Sequence, residues 1–203
     1  RTKEELRDKL GKRLPEKIEY KGLIDDYSSY MKTLDKLMTS DQISSYETVR
    51  NEIRKNSTLP DILINLNRMK ACMIHPRLTF KNSLGHMTEL SSNEFWQESA
   101  KLKTMLEILH LIKEKNEKVI IFLISRSVQY LLKSWINVEF GIDPDIVSGE
   151  TKVQSASEEE TRLGMIKKFS NQDGFNIIIL SPLAAGVGLN VTAANHVFHL
   201  ERH

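Results

Sequence analysis

Residues Ser181 to Glu201 read SPLAAGVGLNVTAANHVFHLE: an apolar strand, a small-residue turn carrying Gly186 and Gly188, the polar Asn190 and Thr192, then a second apolar strand. Glycine lets a backbone come close to a ligand, and small residues at a strand's carboxyl end leave room for one. Amide and hydroxyl donors placed there suit a phosphate-bearing partner. The same turn also reads as plain packing, because a short glycine pattern by itself is weak evidence. It is not a dinucleotide fingerprint, since Gly188 is followed by Leu189, Asn190 and Val191. Nor does the chain carry a Walker A loop: Gly11-Lys12 is followed by Arg13 and has no glycine five residues earlier.

Other reactive side chains point to less. His196 and His199 lie three apart on an expected strand and so project to opposite faces, which speaks against a shared metal with His203. His75, before Pro76, reads as a helix-end residue held by backbone. Cys72 reads as a small buried hydrophobe, with no histidine placed beside it by local sequence. A G-x-S-x-G nucleophile elbow is absent.

The elements that must position the turn follow from periodicity. Residues 1–98 read as mainly helical, with segments near 26–38, 42–55 and 60–74. In the last of these Ile62, Leu66, Met69 and Met73 recur at helical spacing and form a face that must pack. Residues 77–98 lack clear periodicity and read as a loop or short-element insert, Phe95 and Trp96 included. From Ser99 onward helix and strand alternate. Leu102, Met105, Leu106, Leu109 and Ile112 make one stripe, and Val119–Ile124 is a continuous apolar run of the kind buried on both faces of a parallel sheet. A helix over about 127–138, a strand near Ile146, a helix opened by a Ser157/Glu160 capping box with Leu163, Ile166 and Phe169 inward, and strands at 177–180 and 196–200 complete the series. The expected fold is an α/β open parallel sheet with helices on both faces, preceded by a helical region. Ligands of such sheets sit at the carboxyl ends of the strands, here Ser125, Arg126, Ser148, Gly149 and Ser181 with the turn after it.

With 203 residues, 40% of them hydrophobic and 28% charged, the chain is long enough for one full core and a smaller appendage. A net charge of +2 permits a nucleic-acid partner without demanding one. The lone Cys72 excludes an internal disulfide, and no apolar run is long enough to span a bilayer. The default expectation is a reducing, cytoplasmic compartment without membrane contact. An opening on RTKEEL without Met and a stop just after a strand read as an excised piece of a longer parent.

Taken in order, the motifs resemble those of the Swi/Snf-type DNA-dependent ATPases, a branch of the superfamily-two helicases. RTKEEL with LPEKIE resembles the stretch after the third helicase motif, and LNRMKACMIHPRL the family's cysteine-x-H-P-x-L helix end. SAKLKTMLEIL with KVIIF resembles the lead into motif IV. VSGET with Arg162 and Phe169 is similar to the following glycine turn and helix, and the turn at Gly186 resembles motif V. The resemblance implies a RecA-like second helicase lobe over 99–203, ending before motif VI, with 1–98 as the inter-lobe or protruding region. It further implies double-stranded DNA and the N-terminal RecA-like ATPase lobe of the same parent as partners, with ATP and Mg2+ used by the full-length parent. Neither ATP nor Mg2+ is expected bound to this piece, which is expected to be catalytically silent alone. Gly186, Gly188 and Leu189 would couple to the nucleotide between lobes. Asn190 and Thr192 would contact DNA phosphates, with Arg126, Lys152, Gly149 and Arg162 adding to that surface at neighbouring strand ends. Leu183 and Ala185 depart from the family's lysine and glycine, and Leu123–Arg126 from a more polar run.

Two rivals come from other classes. A free-standing Rossmann-like nucleotide or metabolite module explains the alternation and the glycine turn but not the ordered series of motifs. A protein-interaction domain would rest on the helical half and predicts an exposed apolar patch.

Overall fold

The computed structural model describes residues 38–55, 58–79, 87, 89–151, 161–185 and 191–201. Two helices come first, α1 (Ser40–Arg54) and α2 (Leu59–Cys72). Each opens on a reciprocal capping box: the Thr39 and Thr58 hydroxyls accept from the backbone of Gln42 and Asp61, whose side chains accept from the caps in return. The Thr58 bonds hold the Asp61 carboxyl below the usual carboxylate range. A short 3-10 turn, Pro76–Thr79, follows.

The α2 stripe is rotated from its expected position. Asn65 and Cys72 are buried, Ile62, Met69 and Met73 are partly covered, and Leu66 is 44% exposed. The buried face is the one that meets Gln42 of α1, whose Nε2 donates to the Cys72 carbonyl at 3.0 Å. The Gln42 Oε1 also accepts from the Ala100 amide at 3.0 Å, so one buried amide ties three segments together. The Cys72 thiol donates to the Gln42 carbonyl, and burial pushes its pKa up to about 11, which makes it a poor nucleophile.

Helix α3 (Ser92–Gln97) lies in the expected insert, and α4 (Ala100–Glu114) turns its Leu102, Met105, Leu109 and Ile112 inward. The insert is not peripheral: Met87, Leu90, Phe95 and Trp96 share a buried cluster with α4. Its short-element character is as read, but its apolar residues belong to the core.

Then comes the alternating part: β1 (Lys118–Phe122), α5 (Arg126–Phe140), β2 (Asp145–Val147), α6 (Arg162–Asn171), β3 (Asn176–Leu180), α7 (Pro182–Ala185) and β4 (His196–His199). Helix α5 stops at Gly141, whose left-handed φ of 69° suits glycine and lets its amide cap the Asn137 carbonyl. Residues Ser157 and Glu160 lie outside the described residues; the described helix α6 takes Thr161 as its cap, accepting from Gly164. Ile166 and Phe169 face inward as expected, whereas Leu163 is 65% exposed and points away from the sheet.

The four strands among the described residues form one parallel sheet in the order β2-β3-β1-β4. Successive strand residues point to opposite faces. Val119, Ile121, Ile177 and Ile179 therefore pack with α4 and α5, while Ile120, Ile178 and Leu180 pack with Ile166, Phe169 and Ala184 of α6 and α7. Both faces are covered, which is why β1 and β3 read as unbroken apolar runs.

Candidate nucleic-acid interface

Neighbouring strands β1 and β3 send the chain to opposite faces, β1 into α5 on one side and β3 into α7 on the other. The carboxyl ends of strands whose connections part in this way are the place where open α/β sheets bind ligands. The rim is firmly built. The Leu123 amide donates to the Leu180 carbonyl at 3.1 Å, that of Ser181 to Val147 at 2.8 Å, and that of Leu200 to Phe122 at 3.1 Å.

Beside the β1 end, the Glu201 carboxylate accepts from the amides of Ile124 at 2.6 Å and Ser125 at 3.1 Å. Ser125 caps α5 without a side-chain bond, and Glu201 instead places its negative charge at the helix start by accepting from the amides of the cap and of the residue before it. Gln129 donates to the Leu123 carbonyl at 2.6 Å from a fully buried position. These contacts hold Arg126, the first residue of α5, at the rim. A groove of 710 Å³ runs alongside, with Lys70, Lys101, Ser125, Ser127 and Glu201 among its polar lining.

The turn after β2 is held as tightly. Ser148 receives a bond from the Thr151 amide and donates its own amide to Thr151 Oγ1, 2.9 Å away. Arg162 spans the turn, with Nε on the Thr151 carbonyl and Nη2 on the Gly149 carbonyl, both at 2.9 Å. A Cβ added at Gly149 would meet nothing within 4 Å, so this exposed glycine borders open space. Glu150, at the tip, forms a hydrogen-bonded ion pair with Arg126 across the rim.

Of the residues singled out by sequence, Arg126, Gly149 and Arg162 come together at this rim, with Arg162 engaged in shaping the turn. Thr192 is exposed in the turn before β4. Lys152, Gly186, Gly188, Leu189 and Asn190 lie outside the described residues, as does His203. His196 is paired with Glu117 at 2.5 Å, and His199 stacks on Phe122. Among the described residues no three His, Cys, Asp or Glu side chains converge as a metal site, and no helix is long and apolar enough to cross a membrane. Sequence reasoning missed Glu201 and Glu150. No local pattern marks either, because Glu201 acts on residues 76 and 77 positions away and Glu150 on one 24 positions away.

Residues 100–203 match the model of the helicase conserved C-terminal domain. The chain belongs to that family. It is 37% identical over 138 residues to the Zorya protein ZorD of Escherichia coli, an alignment covering 68% of this chain and 12% of ZorD. It is 31% identical over 202 residues to YwqA of Bacillus subtilis, covering all of this chain and 20% of YwqA. The chain thus spans a fifth or less of the length of these relatives. Among solved structures it is similar to the C-terminal domain of the Sulfolobus solfataricus SWI2/SNF2 ATPase, with a TM-score of 0.61 and 26% identity over 81% of this chain and 68% of that one. The core of the same ATPase in complex with double-stranded DNA shares the fold, with a TM-score of 0.58 and 24% identity over 81% of this chain and 33% of that one. The helicase C-terminal domain is therefore of the Swi/Snf type, and its parallel sheet is that of the RecA-like lobe.

Proposed function

We propose that this chain is the DNA-tracking half of an ATP-driven double-stranded DNA translocase, and that the carboxyl-end rim is the surface that meets the DNA phosphates. The observation that carries the reading is the carboxyl-end rim of the sheet, where Arg126 at the start of α5 meets the Arg162-braced turn after β2, with its open Gly149, through the Arg126–Glu150 ion pair. The similar Sulfolobus core, whose solved form holds double-stranded DNA, supports the same partner. Arg126 contributes charge, Thr192 a hydroxyl, and Gly149 an unobstructed approach for a backbone. Arg162 is a positioning residue, because both its bonds go to the turn it shapes. By the family resemblance, Asn190 and Lys152 add DNA contacts, while Gly186, Gly188 and Leu189 couple to the nucleotide between the lobes. Contacts of this kind set position on the duplex and carry little base preference.

ATP in motors of this type is bound where two lobes close, and hydrolysis depends on charges brought against the γ-phosphate. Within the present chain, residues 99–203 supply one wall of that cleft, with 1–98 as the inter-lobe region. The metal-holding and phosphate-gripping groups belong to the N-terminal lobe of the parent, so the chain alone does not turn over ATP. In the parent, ATP with Mg2+ supplies the free energy of stepping, and the rim residues hold the duplex while the lobes close.

Arg126→Ala tests the phosphate reading. A lysine or arginine on a phosphate displaces a counterion and steepens the salt dependence of binding by about 0.9 on a double-logarithmic plot. Titrating a labelled duplex with the chain at several salt concentrations should give a slope shallower by about that amount for Arg126→Ala, equally on unrelated sequences. An unchanged slope would remove Arg126 from the interface.

A further inference from the structure

The rim carries an acid where a phosphate-binding surface gains nothing from one. Glu150 stands at the tip of the β2 turn, its side chain 67% exposed, and faces Arg126, whose side chain is 53% exposed. The geometry is built rather than incidental. The Glu150 amide donates to Ser148 Oγ at 3.3 Å, Ser148 and Thr151 close the turn beneath it, and Arg162 holds the carbonyls on both sides of it. At the β1 end, Glu201 and Gln129 fix the segment that leads into Arg126. Each partner is thus presented by a hydrogen-bonded segment, Glu150 by the turn after β2 and Arg126 by the segment after β1.

We propose that Glu150 is an acidic latch on Arg126, an internal competitor that a DNA phosphate must displace before the arginine can grip the duplex. The inference rests on the phosphate-binding reading of the rim and adds its regulation. An exposed ion pair is weak, so a phosphate can displace Glu150, yet the released carboxylate stays beside the bound strand and repels it. The latch lowers affinity without abolishing it, a property that suits a surface required to release and rebind the backbone at each step.

The test is Glu150→Gln, which keeps the size and hydrogen-bonding reach of the side chain and removes its charge. With the full chain and a labelled duplex at low salt, Glu150→Gln should bind about two- to fivefold more tightly than the wild type, with the gain shrinking as salt is raised. In an Arg126→Ala background the same change should give little or no gain, because the group being released is absent. Equal affinity of Glu150→Gln and wild type overturns the latch while leaving the rim as a DNA surface. A gain that persists undiminished in the Arg126→Ala background also overturns it, since Glu150 then acts by general repulsion. If no form binds duplex, the DNA reading fails and the latch with it. Melting temperatures of all four forms separate these outcomes from loss of fold.

Discussion

Replacing Phe95 with alanine should cost about 3–5 kcal/mol of stability, a large fraction of what a domain of this size possesses. Phe95 is 1% exposed and sits at the centre of an aromatic group. Its ring stacks on Trp135 of α5 at 5.2 Å and on His75 at 5.7 Å, and meets Trp96 edge-on at 5.0 Å. Truncation removes the buried area and leaves a cavity that the sheet-covering helices α4 and α5 cannot close without moving. The expected consequence extends to the rim, because α5 carries Arg126 at its start. Urea unfolding of the variant should show a lower midpoint with an unchanged slope. A loss below about 1 kcal/mol would mean that α3 packs as a dispensable cover and not as part of the core.

Acid should weaken the same region through His75. The imidazole is fully buried, and its Nδ1 accepts from the Arg77 amide at 3.2 Å, so the proton sits on Nε2, which lies near the Glu94 and Phe95 backbone without a well-formed hydrogen bond. Burial pushes its pKa down to about 4 from 6.5, outweighing the attraction of Glu98, whose Oε2 lies 3.9 Å from Nε2. The Glu98 carboxylate is already engaged by Arg77, which binds it through Nε at 2.7 Å and also through Nη2. The Glu98 pair in turn raises the Arg77 pKa above its ordinary value. A histidine held neutral in the fold binds a proton more readily when unfolded. Its contribution to stability is complete above pH 6.5 and is lost as pH falls towards about 4. At 1.36 kcal/mol for each pH unit across that window, the loss is at most about 3 kcal/mol. His75→Asn keeps an acceptor for the Arg77 amide and removes the titrating ring, so its stability should fall much less over the same range. Parallel slopes for the two proteins would assign acid sensitivity to other groups.

The two predictions mark where reading the chain succeeds and where it fails. β1 and β3 are legible as apolar β-branched runs because both their faces are covered. The α4 stripe is legible because a fifteen-residue helix repeats its period several times. Phe95 and Trp96 are not, since α3 spans six residues and buries two adjacent side chains against partners from other segments. Leu163 and Leu66 mislead for a related reason. Periodicity identifies an apolar arc, but the contact with the sheet or with α1 decides which edge of that arc is covered, and each of these leucines falls on the uncovered edge.

At the rim the same division holds. Arg126 and Gly149 can be found as residues at the carboxyl ends of predicted strands. Their state cannot, because it depends on side chains brought in from far along the chain. Arg162 reads from sequence as a charge for DNA and is found gripping the carbonyls of Gly149 and Thr151. Glu150 and Glu201 carry no local signature and are visible only once the strands are laid in the order β2-β3-β1-β4.

The most direct test of the rim as a phosphate-binding surface is to titrate the chain with unrelated labelled duplexes, and separately with ATP, over a range of salt concentrations. Weak duplex binding whose logarithm falls linearly with the logarithm of salt, at similar strength for every sequence and without tight ATP binding, is the predicted result. Tight, salt-insensitive binding of ATP with no affinity for duplex would contradict it and favour a self-contained nucleotide-binding module.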